Sequence, residues 1–227
     1  MDIGIAVTAT GFLSEPTFRH MKGVIKELTD SYGYGEKVRY GLIIFGERAS
    51  TKLSFTDEYA SLADLQRFVE VAPRIEGGPR LDRALEEAEK LFVDNSKPSA
   101  KKIFLVFTNK NSTGNQNEEK AKVDGLKKKG IATIVTSWKA DVGKSFEKLV
   151  PKEQIVVTDT GKDPSEVVKK VIDEIDHSKC FNLSNSAVND FIYFLRANGV
   201  QYEKIHISIY KILIYSYVIH MKLFSFG

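Results

Sequence analysis

The sequence DIGIAVTATGF, residues 2–12, decides how the rest of the chain is interpreted. Residues 3–7 are apolar enough for a buried strand, and the small residues 8–11 after them favour a tight loop. Ser14 and Pro16 then supply the N-cap and the first turn of a helix. Strand, tight loop and helix form the first unit of an α/β sheet, in which loops at the carboxyl ends of the strands form the ligand site.

The alternation of strand and helix continues to about residue 175. Further strands are predicted at residues 38–45, 51–55, 102–108, 131–137 and 154–158. The second of these follows a turn, so we expect it to pair back as a short antiparallel strand. We therefore predict a doubly wound, Rossmann-like α/β fold. Its sheet is six-stranded and mostly parallel, with helices on both faces and one short antiparallel edge strand.

Apolar residues at three- and four-residue spacing predict the helices between these strands. The helix after the opening loop is indicated by Phe18, Met21, Ile25 and Leu28. A second helix is indicated by Leu62, Leu65, Phe68 and Val69. A short helix before the last strand is indicated by Phe146, Leu149 and Val150.

The composition changes after residue 177, which predicts two parts: an α/β domain at residues 1–177 and a C-terminal tail at residues 178–227, outside the fold. The tail has five basic and two acidic residues, so its charge of +3 accounts for the net charge of the chain and the domain is neutral. Residues 205–226 have high β-propensity. Lys211 and His220 interrupt them, so they do not read as a transmembrane helix, and we expect no membrane association.

Several functional classes are excluded by residues that the chain lacks. A neutral domain has no basic face for nucleic acid. Gly143-Lys144-Ser145 resembles the end of a phosphate-binding loop, but Trp138 occupies the position of the first glycine, so no nucleotide site is predicted. The four histidines do not cluster in sequence beside a nucleophile, and the single cysteine, Cys180, lies in the tail. We therefore predict neither an enzyme nor a cofactor.

Four further motifs accompany the opening strand and loop. They are YGLIIFG at residues 40–46, GGPRLDRAL at 77–85, LVFTN at 105–109 and GIATIV at 130–135. In this order they resemble the von Willebrand factor type A domain, over about residues 2–176. The resemblance implies a non-catalytic protein-interaction or adhesion module of an extracellular-matrix or cell-surface protein.

Members of this family that bind ligands through a metal carry Asp-x-Ser-x-Ser after the first strand, a Thr after the glycine-rich loop and an Asp after the fourth strand. The aligned positions hold Thr8, Thr10, Phe12, Pro79 and Asn109. Both carboxylates of the motif are absent, and Mg²⁺ needs at least one or two carboxylates beside its other oxygens. We expect a degenerate metal-ion-dependent adhesion site that binds no metal, whose remaining oxygens make loop hydrogen bonds.

The partner is expected to be a matrix or cell-surface protein held by the loops at the carboxyl ends of the strands. Phe12 is either an apolar anchor for that partner or a core residue under the first helix, and Arg80 offers it a charge. Two glycosylation sequons, at Asn111 and Asn182, favour a secreted protein, although no leader precedes the first strand. Two alternatives stay open: a metal-dependent collagen- or integrin-type adhesion domain, and an intracellular scaffold.

Overall fold

The protein was analysed as a computed structural model that describes residues 1–11, 13–35, 37–56 and 61–177. Its strands are β1 (Asp2–Thr8), β2 (Arg39–Phe45), β3 (Ala49–Leu53), β4 (Lys102–Thr108), β5 (Ile131–Ser137) and β6 (Ile155–Val157). Its helices are α1 (Glu15–Tyr32), α2 (Leu62–Glu70), α3 (Leu81–Asn95), α4 (Gln116–Lys128), α5 (Ala140–Ser145) and α6, described over residues 164–177. Phe12, Asn182 and the predicted tail lie outside the described residues.

The six strands form one sheet in the order β3-β2-β1-β4-β5-β6. β1 lies between β2 and β4 and is parallel to both, and β5 and β6 continue the parallel part. β3 alone is antiparallel, at the edge beside β2. The predicted doubly wound fold is confirmed, and the chain order reverses at β1, where open sheets of this type bind ligands.

The sheet is buried on both faces, which explains why its central strands are continuously apolar. All seven residues of β1 are buried. Ile3, Ile5 and Val7 face the layer formed by α1, α2 and α6, whereas Ala6 faces the layer of α3, α4 and α5. Gly41 of β2 lets α3 approach closely, because a Cβ there would lie 2.5 Å from Leu91 Cδ2.

Three predicted elements differ from the structure. The antiparallel strand begins at Ala49 instead of residue 51, because the β2–β3 turn is tight: the Gly46 amide donates to the Arg48 carbonyl over 2.8 Å. The short helix near residue 146 lies earlier, at Ala140–Ser145, and Phe146 begins a single 3₁₀ turn after it. Phe68 is 41% exposed, because the buried face of α2 is formed by Leu65 and Val69 and Phe68 lies to one side of it.

In the part of the chain that the structure describes, we find no helix both long enough and apolar enough to cross a membrane.

Candidate binding site at the carboxyl ends of the strands

The loops at the carboxyl ends of the strands meet at one edge of the sheet. We call this the carboxyl edge and define it as residues 9–11, 46–48, 75–80, 109–115 and 138–139. The amide of Ala9 donates to the Phe45 carbonyl over 2.8 Å, and the amide of Ile75 donates to the Ala9 carbonyl over 2.6 Å. The amide of Gly11 in turn donates to the Ile75 carbonyl over 3.0 Å. Backbone hydrogen bonds thus connect the β1–α1 loop to β2 and to the segment before α3.

The β4–α4 loop is fastened to the same edge. The Thr113 amide donates to the Pro79 carbonyl over 2.8 Å, and the Ser112 hydroxyl oxygen accepts the Leu81 amide over 3.1 Å. The Arg80 amide donates to the Gly46 carbonyl over 2.8 Å. The sequence grouped residues 8–12, 77–80 and 109–115 at one end of the sheet, and the structure brings the described members of that group together.

Thr8, Thr10 and Asn109 occupy three positions of the family's metal motif. Thr8 and Thr10 are 0% exposed and Asn109 is 6% exposed. Their side-chain oxygens, Thr8 Oγ1, Thr10 Oγ1 and Asn109 Oδ1, have no hydrogen-bond partner in the described parts of the chain. The predicted loop hydrogen bonds are therefore not made by these three oxygens with any described protein group. Buried oxygens of this kind usually have a partner, which can be an ordered water or an ion.

Arg80 is already engaged within the protein. Its Nε and Nη2 donate to the two carboxylate oxygens of Asp82, over 2.8 and 2.7 Å, in a bidentate pair. The hydrogen bonds from Arg80 hold the pKa of the Asp82 carboxyl below its ordinary value, against the opposing effect of burial. Arg80 is thus paired within the protein but remains 33% exposed, and its interaction with a partner stays a prediction.

A second carboxylate, that of Glu119 in the first turn of α4, is buried beside this pair. Glu119 is 2% exposed and accepts a hydrogen bond from the Ser112 hydroxyl. Gly114 lies between the two carboxyl groups, since a Cβ there would be 2.5 Å from Glu119 Oε1 and 2.6 Å from Asp82 Oδ1. Burial raises the pKa of Glu119, and the negative charge of Asp82 adds to the effect. Sequence reasoning missed this residue, because an acidic residue in the first turn of a helix usually faces solvent.

Glu119→Gln should stabilise the domain at neutral pH. A carboxyl whose folded pKa is raised contributes stability that is present below its unfolded pKa and is lost as pH rises through its folded pKa. The neutral amide keeps the acceptor for Ser112 and avoids burying a charge. We expect a gain of about 1 kcal/mol at pH 7, or roughly 2–4 °C in Tm, that disappears below pH 4.

Thermal unfolding followed by circular dichroism between pH 4 and pH 8 measures this gain. Glu118→Gln is the matched control, since Glu118 is the exposed neighbour of Glu119 in the same helical turn. Equal effects of the two substitutions at every pH would contradict the role of burial.

Of the remaining predicted positions, the structure describes Asn111, whereas Phe12 and Asn182 lie outside the described residues. Asn111 is exposed in the β4–α4 loop, and its Oδ1 accepts a hydrogen bond from the Ser145 hydroxyl over 2.9 Å. The roles of Phe12 and Asn182 stay predictions.

The oxygens at the metal-motif positions do not match what a divalent cation requires. Three of the five positions offer neutral oxygens, and the side chains of Phe12 and Pro79 offer none. The neighbouring carboxylate of Asp82 is paired with Arg80, and the buried carboxyl group of Glu119 accepts a hydrogen bond from the Ser112 hydroxyl. The described residues contain no group of three or more His, Cys, Asp or Glu side chains that would hold a metal ion. A dication at this point would lose its water without gaining a carboxylate ligand.

Comparison with known proteins places this geometry in a family. The family model for the von Willebrand factor type A domain matches residues 2–174. A similar curated protein is the collagen alpha-4(VI) chain of Mus musculus, 24% identical over 113 residues. The match covers 49% of this chain and 5% of the collagen chain.

Solved structures with the same fold include proximal thread matrix protein 1 from the mussel byssus. It has a TM-score of 0.65 at 18% identity, over 75% of this chain and 44% of that protein. The form with a zinc-occupied metal motif matches with a TM-score of 0.65 at 20% identity, over 77% of this chain and 45% of that one. An aerotolerance-related membrane protein of Bacteroides fragilis has a TM-score of 0.63 at 14% identity, over 78% and 99% of the chains. At these identities the likeness shows the fold alone. The chain spans less than half of the mussel protein and a small part of the collagen chain.

Proposed function

Because this chain belongs to the von Willebrand factor type A domain family, we propose that it is a non-catalytic adhesion module that binds a protein partner through its carboxyl edge without a metal ion. Domains of this family are typically protein-interaction modules. We further propose that the partner is a matrix or cell-surface protein and that the domain works outside the cell. The collagen relative supports that setting, as does the exposed sequon at Asn111.

One observation carries the metal-free part of the proposal: the two buried carboxylates beside the metal-motif loops, those of Asp82 and Glu119, are already engaged in hydrogen bonds within the protein. Asp82 is held by Arg80, and Glu119 is buried with a raised pKa. The edge nevertheless remains one connected surface, because backbone hydrogen bonds join four of its loops. A rigid surface loses little conformational entropy on binding, which favours protein recognition.

Metal-dependent adhesion is a second candidate function, favoured by a specific observation. The buried oxygens of Thr8, Thr10 and Asn109 lack hydrogen-bond partners in the portion of the chain described. A bound ion or ordered water is one explanation for such atoms. The two candidates differ in whether these oxygens receive a cation or a water molecule.

Calorimetric titration of the full chain with Mg²⁺ and Mn²⁺ separates these candidates. The metal-free proposal expects no saturable heat for either ion. Sub-millimolar binding that is lost in Thr8→Ala would establish metal-dependent adhesion instead, and Thr133→Ala serves as the control, since Thr133 is a buried threonine with an unpartnered hydroxyl on β5.

The carboxyl edge itself is tested by retention of matrix proteins from a tissue extract, in the presence of EDTA. Asn111→Trp places a bulky side chain on the exposed β4–α4 loop and should weaken retention about tenfold or more, as for a central interface residue. Lys97→Glu alters the exposed charge at the opposite end of β4 and should leave retention unchanged. Equal loss in both variants, or retention of the wild type only when EDTA is left out, would refute the proposal.

A further inference from the structure

Strands β4 and β5 end in the same hydroxyl-based turn. Thr108 and Ser137, their last residues, are paired in register. The Thr108 hydroxyl donates to the Lys110 carbonyl over 3.0 Å, and the Ser137 hydroxyl donates to the Lys139 carbonyl over 3.0 Å. Each hydroxyl also accepts from the amide of the same lysine, over 3.3 Å. Two lysines therefore follow the registered pair at the same distance along the chain.

The register places the two lysines on neighbouring loops of the carboxyl edge, because the paired strands that precede them are only about 4.8 Å apart. Lys139 is exposed and Lys110 is half-buried. Within the described ranges, neither ammonium group has a carboxylate within 4.0 Å. Asp141, the acidic residue closest to Lys139 in sequence, makes no ion pair with it. The two positive charges are thus not neutralised by a direct ion pair.

The backbone that carries the two lysines is fixed by further contacts. The Lys139 carbonyl accepts the amide of Gly143 over 2.9 Å at the start of α5. Ser145, at the end of α5, donates its hydroxyl to Asn111 Oδ1 over 2.9 Å. The backbone of Lys139 is therefore held by α5, and Asn111, the residue after Lys110, contacts the end of the same helix. A ligand that bridges the lysines meets a backbone that is already ordered.

The surrounding charges restrict the kind of anion that fits. Glu47, Glu76 and Asp159 lie on the loops at the same end of the sheet. An extended polyanion would meet these negative charges, whereas a short segment with two or three carboxylates contacts the lysines alone. Charge complementarity at this edge favours a small acidic protein segment over a sulfated glycan.

We propose that Lys110 and Lys139 form a dicationic site that binds neighbouring Asp or Glu carboxylates of the partner protein. The inference rests on the proposed function for the use of the carboxyl edge, and it adds the chemistry that the edge recognises. Exposed ammonium–carboxylate pairs contribute modestly to affinity, so the site acts chiefly by steering the partner and fixing its orientation.

The probe is a biotinylated oligoglutamate peptide, with oligoglutamine as the neutral control and a heparin oligosaccharide as the alternative anion. A carbodiimide cross-links amines directly to carboxylates, and mass spectrometry then maps the modified lysines on the full chain. We expect oligoglutamate to cross-link preferentially to Lys110 and Lys139. Its affinity should fall about tenfold in the double variant Lys110→Gln/Lys139→Gln and with rising ionic strength. Lys169→Gln/Lys170→Gln, which removes two exposed lysines of α6, should change neither result.

Three outcomes would overturn the proposal: cross-links spread over all exposed lysines, equal losses in both double variants, or a loss of heparin binding without specific oligoglutamate binding. These outcomes are distinguishable from failure of the proposed function. If Asn111→Trp abolishes retention of the matrix partner while oligoglutamate shows no specific binding, the carboxyl edge remains the interface and only its preference for acidic segments is refuted. Circular dichroism of each variant verifies that the fold is intact.

Discussion

Replacement of Asp2 by Ala is expected to lower the free energy of unfolding by about 3–5 kcal/mol, because it leaves a buried guanidinium without its partner. Asp2 is 1% exposed and accepts hydrogen bonds from Arg39 Nε over 2.9 Å and Arg39 Nη2 over 2.6 Å. The Ser96 hydroxyl donates to the same carboxylate over 2.6 Å, and the Lys97 amide does so over 3.1 Å. One side chain therefore joins β1, β2 and the end of α3 at the amino end of the sheet.

A double variant separates the pair from the loss of side-chain volume. Asp2→Ala/Arg39→Met removes both charges and should recover at least half of the lost stability, since a buried pair replaced by apolar groups is often nearly neutral. Urea denaturation of the wild type, the two single variants and the double variant completes the cycle. A double variant that is less stable than Asp2→Ala would contradict the buried-charge explanation.

The same carboxylate makes stability depend on acid. Burial alone would raise the pKa of Asp2, but the hydrogen bonds from Arg39 and Ser96 outweigh it and lower the pKa. A carboxyl with a lowered pKa contributes stability that is present above its unfolded pKa of about 3.9 and is lost as pH falls through the folded pKa. Asp2→Ala should therefore cost less at the acid end of a pH series than at neutral pH.

The sheet could be predicted from the sequence because its central strands are buried on both faces. β4 and β5 were predicted with the observed bounds, since an apolar run bounded by charged or polar residues has few other interpretations. The edge elements were predicted less well. The bounds of β3 depend on the turn after Gly46, and the exposure of Phe68 depends on how α2 lies on its neighbours, and neither is visible in local periodicity.

The sequence predicted where the candidate site lies, but it did not predict how the side chains of the site are paired or buried. Strand ends are local features, so the grouping of Thr8, Pro79 and Asn109 followed from the topology. Three features of the site depend on how loops distant in sequence pack together. They are the bidentate pair of Arg80, the burial of Glu119 and the lack of protein partners for the buried oxygens at the motif positions. The residue types at the motif positions show which metal ligands are absent. They do not show which neighbouring side chains are already paired.

The charged side chains at the two ends of the sheet differ in whether they are paired within the protein. At the amino end, the Asp2 carboxylate accepts four hydrogen bonds, and its charge is paired with Arg39 within the fold. At the carboxyl end, Lys110 and Lys139 have fixed backbones and no direct ion pair among the residues described. Charges left unneutralised on a rigid edge are available to a partner, which is why the binding proposal concerns this end of the domain.

Phe92→Ala is the second substitution with a large expected effect. Phe92 is 2% exposed on α3, and its ring centroid lies 5.1 Å from that of Phe55 and 6.5 Å from that of Phe104. Truncation of a buried aromatic residue costs about 3–5 kcal/mol, or roughly 10 °C in Tm for a domain of this size. Val93→Ala, at the neighbouring position that is 57% exposed, should change stability by less than about 0.5 kcal/mol.

A substitution at Gly4 tests whether the loss of stability in Phe92→Ala comes from the cavity that the ring leaves. A Cβ at Gly4 would lie 2.9 Å from Phe92 Cε2, so Gly4→Ala should destabilise the wild type by overpacking. In the Phe92→Ala background the same methyl group points into the space left by the ring and should restore about 1 kcal/mol. The sign of the Gly4→Ala effect therefore reverses between the two backgrounds, and denaturant unfolding of the four proteins measures this coupling. Additive losses would mean that α3 has shifted toward β1 and closed the cavity.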